Sequence, residues 1–329
     1  MSWSRKKVLV TGAGGFIGSH LAEALVEAGA KVRGFLRYNS RNDIGHLRWA
    51  DPQAVREMEL IFGDLNDPDS VGRAVEGATL IYHLGAVISI PYSYLDPAEV
   101  IKTNILGTTN ILQQALKKGV DLVVHTSTSE VYGTARFVPI TEDHPLQAQS
   151  PYSASKIAAD KIAESYCLSY GLPVVILRPF NTYGPRQSRR AIIPTIITQA
   201  LAGSKIRLGS LWPTRDFTYV SDTVAGFLSC AGKPRAIGQT INLGTGRDIP
   251  VRELAQKILA QLGVRARIVY EKSRVRPPGS EVGRLRSSPR RALRLLGWKA
   301  RVTLPEGLKA TLRWFEDHRG DYPDTDYAV

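Results

Sequence analysis

Cysteine is nearly absent from this chain of 329 residues, which has only Cys167 and Cys230. Two cysteines this far apart build no disulfide framework and lack metal-site spacing. No metal is expected, and a reducing cytosolic setting fits. Long apolar runs are missing too, so neither a signal-peptide core nor a membrane span is expected. Acidic residues are scarce: 30 Asp and Glu stand against 43 Lys and Arg, a formal net charge of +13. Such an excess can mean nucleic-acid binding. Here it is spread along the chain and is dense only at 284–294 (RLRSSPRRALR). A solvated basic face accounts for that stretch, and no nucleic-acid partner is expected. Ligands that carry phosphates give the remaining charge a use. The rest of the composition, 43% hydrophobic and 22% charged, is that of an ordinary globular protein. The length suits one large domain or two modest ones.

The chain opens on a short apolar strand, 6–10 (KKVLV), followed by TGAGGFIGSH and a helical pattern over 21–27. Gly12, Gly15 and Gly18 fall in a G-x-x-G-x-x-G spacing between strand and helix. Gly12 permits the tight turn, Gly15 lets a pyrophosphate approach the backbone, and Gly18 lets the helix pack close to the strand. The helix N-terminus then faces the phosphates, so dinucleotide binding is expected. An acid at the end of the second strand (31–36) would bind a ribose 2′-hydroxyl, as NAD requires. None is there: Leu36 and Arg37 take its place. Arg37 points to the 2′-phosphate of NADP. Its alternatives are stacking on adenine or facing water, so the cofactor is NAD or NADP with a lean to NADP.

Asp64 ends the next strand and suits the adenine amino group. A helix at 67–77 leads to a buried strand at 79–84, in which His83 reads as structural. A close turn follows at 85–87. A long helix over 98–116 contains Asn104, which needs a partner if buried. The fifth strand, 122–127, delivers TSTSEVYG (126–133) at its carboxyl end, where ligands bind in an open α/β sheet. Repeated βα units predict an α/β doubly wound parallel sheet of Rossmann type. A further strand covers 172–178. After Pro179, Pro- and Gly-bearing loops alternate with short helices such as 192–202 and 251–262. This predicts a smaller α/β substrate-binding region, partly interleaved with the sheet. The expected division is 1–178 and 179–329.

In YSASK, Tyr152 and Lys156 are four residues apart, on one face of a helix. A lysine beside a phenol favours the phenolate, so the tyrosine pKa is expected to fall and the pair to move a proton. Alone, the pattern also describes a tyrosine and a lysine on a helix surface.

The glycine loop, GDL at 63–65, HLGA at 83–86, YSASK, RPFNTYGP at 178–185 and RDFTYVSD at 215–222 together resemble the extended short-chain dehydrogenase/reductase family. Within it, IPYSY at 90–94, HTSTSEVYGTA at 125–135 and HPLQAQSPYSASK at 144–156 resemble the nucleotide-sugar 4,6-dehydratases. RPFNTYGPRQSRRAIIPTIITQ at 178–199 carries the same likeness. The nearest branch is the UDP-N-acetylglucosamine 4,6-dehydratases of the legionaminic acid pathway, then the GDP-mannose 4,6-dehydratases.

The resemblance implies a closed redox cycle. Tyr152, with Lys156 and Thr128, takes the 4-hydroxyl proton as hydride leaves C4. Glu130 removes the C5 proton, water leaves from C6, and hydride returns there. Glu130 is otherwise a solvated loop carboxylate. The resemblance places Gly12, Gly15, Phe16, Ile17, Gly18, Arg37, Asp64, Leu65, Leu84 and Ala86 around the cofactor, with Tyr152 and Lys156. It places Ser89, Thr128, Asn181, Tyr183, Arg215 and Arg276 around the nucleotide sugar, the two arginines on its pyrophosphate. One departure is Ser129, where dehydratases of dTDP-glucose carry an Asp that serves as acid. T-S-E also occurs in UDP-glucuronate decarboxylases, while a 4-epimerase needs Tyr, Lys and Thr without the C5 base. A non-catalytic NAD(P)-binding module is the reading from another class. The family also implies a homodimer, or dimer of dimers, through the helices at 98–117 and 152–169.

Overall fold

The computed structural model describes residues 3, 4 and 6–322. Its centre is a seven-stranded sheet. The strands are β1 (Lys7–Thr11), β2 (Lys31–Arg37), β3 (Glu59–Gly63), β4 (Leu80–His83), β5 (Leu122–Thr126), β6 (Val174–Pro179) and β7 (Thr240–Leu243). All pair in parallel, in the order β7-β6-β5-β4-β1-β2-β3. Chain direction across the sheet reverses between β1 and β4, the crevice where such sheets bind ligands.

The strands read as continuous apolar runs because both faces are covered. On one face, Val8 and Val10 of β1 meet Leu21, Ala22 and Leu25 of α1 (Phe16–Glu27). Leu9 points the other way, into a cluster with Val71 of α2 (Pro68–Val75), Ile111 and Leu112 of α3 (Gly107–Lys118), and Ala163 of α4 (Pro151–Tyr170). Fully burying each such aliphatic side chain contributes roughly 1.5–3 kcal/mol.

Local chemistry sets the helix ends. Asp67 caps α2 by accepting from the amides of Asp69 and Ser70. Ser150 caps α4 reciprocally with Ser153, Pro151 follows, and Gly171 ends the helix at φ +69°. The helix expected over 98–116 is not continuous. A short helix, Pro97–Ile101, runs into a π-helical turn, Lys102–Leu106, before α3 begins. Asn104 lies in that turn, buried. Its Oδ1 accepts from the Val87 amide at 2.8 Å, and its Nδ2 donates to the Val87 carbonyl at 3.0 Å and to Ser155 Oγ at 2.9 Å. Such interruptions of α-helices gather at functional sites.

The later chain has its own core. Ile193, Ile196 and Ile197 of α5 (Ile192–Ala202) pack with Leu254 and Ile258 of α7 (Val251–Leu262) and Leu308, Leu312 and Phe315 of α8 (Leu304–Asp317). It is not separate from the sheet. β7 is the sheet's edge strand, and α6 (Val220–Ser229) places Val220, Val224 and Phe227 in the same cluster as α1.

Candidate active site

β5 ends at Thr126, and the chain turns there into a single helical turn, Ser129–Tyr132. Thr128 caps that turn, its Oγ1 accepting from the Glu130 amide at 3.2 Å. This brings Thr128 and Glu130 over the start of α4. Tyr152, Lys156 and Asp160 follow one another at four-residue spacing on the inner side of α4, exposed by only 8%, 4% and 2%. Thr128 acts on the Tyr152 hydroxyl in the direction that favours its ionised form.

The protonation differs from the expectation of a lowered tyrosine pKa. Burial raises Tyr152, and the nearby charges of Glu130 and Asp160 raise it further, against the opposing effect of Thr128. Lys156 gives way instead. Burial lowers it from 10.5 to about 8, with Asp160 opposing. In the protein as folded, desolvation outweighs the attraction between ammonium and phenolate, so the phenol keeps its proton.

Below the pair lies a buried polar network. Asp160 Oδ2 accepts from Ser127 Oγ at 2.7 Å and from Arg178 Nε and Nη2 at 3.1 and 2.9 Å. His125 Nε2 lies 3.3 Å from the other Asp160 oxygen. Burial alone would raise the Asp160 pKa, but His125 and the charges of Arg178 and Lys156 hold it low. Arg178 Nη1 donates to Tyr132 Oη, which donates to Asn242 Oδ1. His83 is structural. Its Nδ1 faces Thr11 Oγ1 at 2.8 Å and its Nε2 faces Thr108 Oγ1 at 3.0 Å. Thr108 donates to the Asn104 carbonyl, so Nε2 carries the proton and Nδ1 accepts from Thr11. Burial keeps His83 neutral, its pKa well below 6.5.

The nucleotide loop fits a dinucleotide. Gly12 has φ +68°, and a Cβ there would lie 2.9 Å from the Gly85 backbone. A Cβ on Gly18 would lie 2.1 Å from the Gly12 carbonyl, so α1 packs against the loop only because that atom is missing. The N-terminus of α1, from Gly15 to Phe16 and Ile17, has no side-chain cap and no acid in its first turn. Its bare amides suit a pyrophosphate. The Leu65 side chain supports Gly85 and Gly107 from below, and Leu84 and Ala86 are half-buried along the same turn. Asp64 is exposed, with Oδ1 holding both nitrogens of Asn66. Arg37 is 82% exposed, its Nη2 3.3 Å from Glu99 Oε1. An NADP 2′-phosphate would have to draw it from that partner.

The candidate substrate residues divide. Ser89 caps the short helix Ile90–Leu95 through the Tyr92 amide. Asn181 has a buried Oδ1 with no partner among the described residues, an acceptor left open to a ligand. Arg215 is buried beside Glu281, and Arg276 stands beside Glu130. Tyr183 does not line the site. It is buried in the later core, edge-on to Phe217 and Tyr219, with its hydroxyl donating to the Leu304 carbonyl at 3.3 Å. Its place in RPFNTYGP follows from packing. Sequence reasoning passed over Asp160, Arg178, Ser127 and Glu281. One signal was available: Asp160 repeats the Tyr152–Lys156 spacing, and Arg178 ends an apolar strand that needs an acid opposite it.

Comparison with known proteins decides the family. The GDP-mannose 4,6 dehydratase family model matches residues 9–311. The chain belongs to that family. It is thus an extended short-chain dehydrogenase/reductase whose relatives act on nucleotide sugars. It is 35% identical to the UDP-glucose 4-epimerase of Mycolicibacterium smegmatis over 94% of this chain and 99% of that one. It is 33% identical to the UDP-N-acetyl-alpha-D-glucosaminuronate decarboxylase of Bacillus cytotoxicus, over 96% and 100%. Its structure resembles DesIV, the dTDP-glucose 4,6-dehydratase of Streptomyces venezuelae, solved as a double mutant with NAD bound. The TM-score is 0.85 at 31% identity, covering 96% of this chain and 98% of that one. The Rossmann fold is therefore shared, and the protein is an enzyme of this nucleotide-sugar family. Among the described residues, no cluster of His, Cys, Asp or Glu is placed to hold a metal, and no helix is long and apolar enough to cross a membrane.

Proposed function

We propose that this extended short-chain dehydrogenase/reductase is a nucleotide-sugar 4,6-dehydratase, with UDP-N-acetylglucosamine as substrate. The observation that carries this reading is Glu130, a buried carboxylate held by the Thr128 turn close enough to act on the Tyr152 charge. Proton transfer at the 4-hydroxyl alone needs Thr128, Tyr152 and Lys156. A second acid–base group in the same pocket has work to do only when another proton moves, and C5 of a 4-keto sugar carries an acidified one.

When bound, the oxidised nicotinamide would supply the hydride acceptor and a positive charge. The chain's own residues do the rest. Tyr152 acts as base only after its own proton has left to solvent, a loss that the bound cofactor's positive charge and the Lys156 ammonium would favour against burial. The phenolate then takes the 4-hydroxyl proton at Oη, with Thr128 steering both oxygens. Glu130 takes the C5 proton. With Ser129 where other dehydratases carry an acid, protonated Glu130 returns that proton to the hydroxyl leaving C6. We assign the cofactor to 1–178 with α1's bare N-terminus at its phosphates, and the nucleotide sugar chiefly to 179–329 with Asn181, Arg215 and Arg276.

The test is to incubate the enzyme with UDP-N-acetylglucosamine, GDP-mannose and dTDP-glucose in turn and to weigh the products. Loss of one water from the UDP sugar is expected. Loss of carbon dioxide from a nucleotide-linked uronic acid would instead mean decarboxylation, and a changed retention time at constant mass would mean epimerisation. Glu130→Gln should leave cofactor bound, stop solvent deuterium entering C5, and lower turnover by about a hundredfold or more. Normal deuterium uptake would remove Glu130 from the role.

A further inference from the structure

Both arginines of the cleft already face carboxylates of the same cleft. Arg276 Nη1 lies 3.4 Å from Glu130 Oε2, and Arg215 Nη2 lies 3.8 Å from Glu281 Oε1. The first is a long hydrogen bond and the second lies beyond hydrogen-bond reach. Charge-assisted contacts of this kind shorten to about 2.8 Å when the geometry is free to close, as Arg178 and Asp160 do at 2.9 Å. Arg215 is buried and makes one further hydrogen bond, from Nη1 to the Thr214 carbonyl at 3.0 Å. Burial lowers its pKa, Glu130 opposes this, and the Arg276 charge adds to it. The two guanidiniums therefore share one electrostatic environment and repel each other. Glu130 is felt by both.

The Arg276 segment is anchored. Tyr94 Oη and Ser280 Oγ hydrogen-bond each other, Ser280 Oγ donates to the Gln149 carbonyl, and Gln149 Nε2 donates to the Gly279 carbonyl at 3.1 Å. Gln149 immediately precedes the cap of α4. The backbone on either side is thus tied to the catalytic helix, and the Arg276 side chain can change partner without the loop leaving.

We propose that Glu130 and Glu281 stand in for a diphosphate in the free enzyme, and that a nucleoside diphosphate takes Arg276 and Arg215 from them. This rests on the nucleotide-sugar reading and adds a coupling to it. Two loosely held guanidiniums, facing two carboxylates, match the charge and reach of two linked phosphates better than they match each other. When the exchange occurs, Glu130 loses its counter-ion just as the sugar attached to that diphosphate arrives beside it. The base is set free by the substrate it serves.

The test is a binding cycle, read by calorimetry with UDP, GDP and dTDP on the full-length enzyme. Wild type should bind at least one of the three. Glu130→Gln and Glu281→Gln should each bind it about three- to tenfold tighter, because the arginine is no longer held. Arg276→Gln should bind at least about tenfold more weakly. In the Arg276→Gln background, Glu130→Gln should tighten binding distinctly less, the remainder acting through Arg215. Equal tightening in both backgrounds would mean simple charge repulsion and would overturn the exchange, as would unchanged affinity in both glutamine variants. The two variants act independently, so either suffices if the other does not fold. If wild type binds none of the three nucleotides, the nucleotide-sugar reading falls and takes this one with it.

Discussion

A buried lysine costs stability for as long as it is charged. Lys156 holds its proton less tightly folded, at about 8, than unfolded, near 10.5. Between those values the unfolded chain binds more protons, so stability rises with pH across that window and the penalty is fully present below it. The shift corresponds to roughly 3 kcal/mol. Lys156→Met should therefore raise the melting temperature at pH 7 while abolishing turnover, and the gain should vanish above about pH 10.5. A variant less stable than wild type at pH 7 would show that the ammonium is compensated by more than the Asp160 charge. The cofactor can be tested at the same scale. Arg37→Asp should shift preference from NADP toward NAD, and an unchanged ratio would leave Arg37 as no more than Glu99's surface partner. The Tyr152–Lys156 pair was legible because helical spacing fixes which side chains meet. The direction of the tyrosine shift was not, since burial depends on Ile90 and Val100, which pack against it from elsewhere in the chain.

Three elements meet at one carboxylate. His125 belongs to β5, Asp160 to α4 and Arg178 to β6, so the catalytic helix is fastened to the sheet at the depth of Lys156. Removing one partner of a buried ion pair leaves the other uncompensated, at about 3–5 kcal/mol. A single neutral hydrogen bond contributes about 1 kcal/mol. Asp160→Asn should thus lower the urea midpoint several times more than Ser127→Ala, which deletes one hydrogen bond to the same oxygen. Equal effects would mean that Arg178 finds another counter-charge. The strands and helices themselves were largely readable from apolar runs and capping residues. The interruption at Lys102–Leu106 was not. Its residues carry no Pro or Gly to mark it, and its cause is the grip of Asn104 on Val87 and Ser155, contacts made across the fold. Tyr183 misled for the same reason. A motif position does not say which core a side chain joins, and the small Gly307 that makes room for its hydroxyl comes much later in the chain.

At the scale of the whole molecule, the division expected at 178 follows the change in loop composition, and the sheet crosses it: β7 returns from the later region to pair with β6, in keeping with a region expected to be partly interleaved with the sheet. Strand pairing across so long an excursion leaves no local trace in the sequence. The outer surface raises the remaining question. α3 and α4 pack together, and Ile101, Leu106 and Leu116 on and before α3, with Leu168 and Tyr170 at the end of α4, stay exposed. Single exposed apolar residues are ordinary on a monomer. Several along one helix pair in a chain of net charge +13 are harder to leave in water, and a two-fold partner would cover the same surface on both copies. We therefore expect a homodimer through these helices. Light scattering on the purified enzyme should give twice the chain mass, and Leu106→Glu, at an exposed position, should give the monomer with its fold intact by circular dichroism. Wild type that scatters as a monomer at micromolar concentration and above would leave these side chains as surface, and would require each copy to complete its site alone.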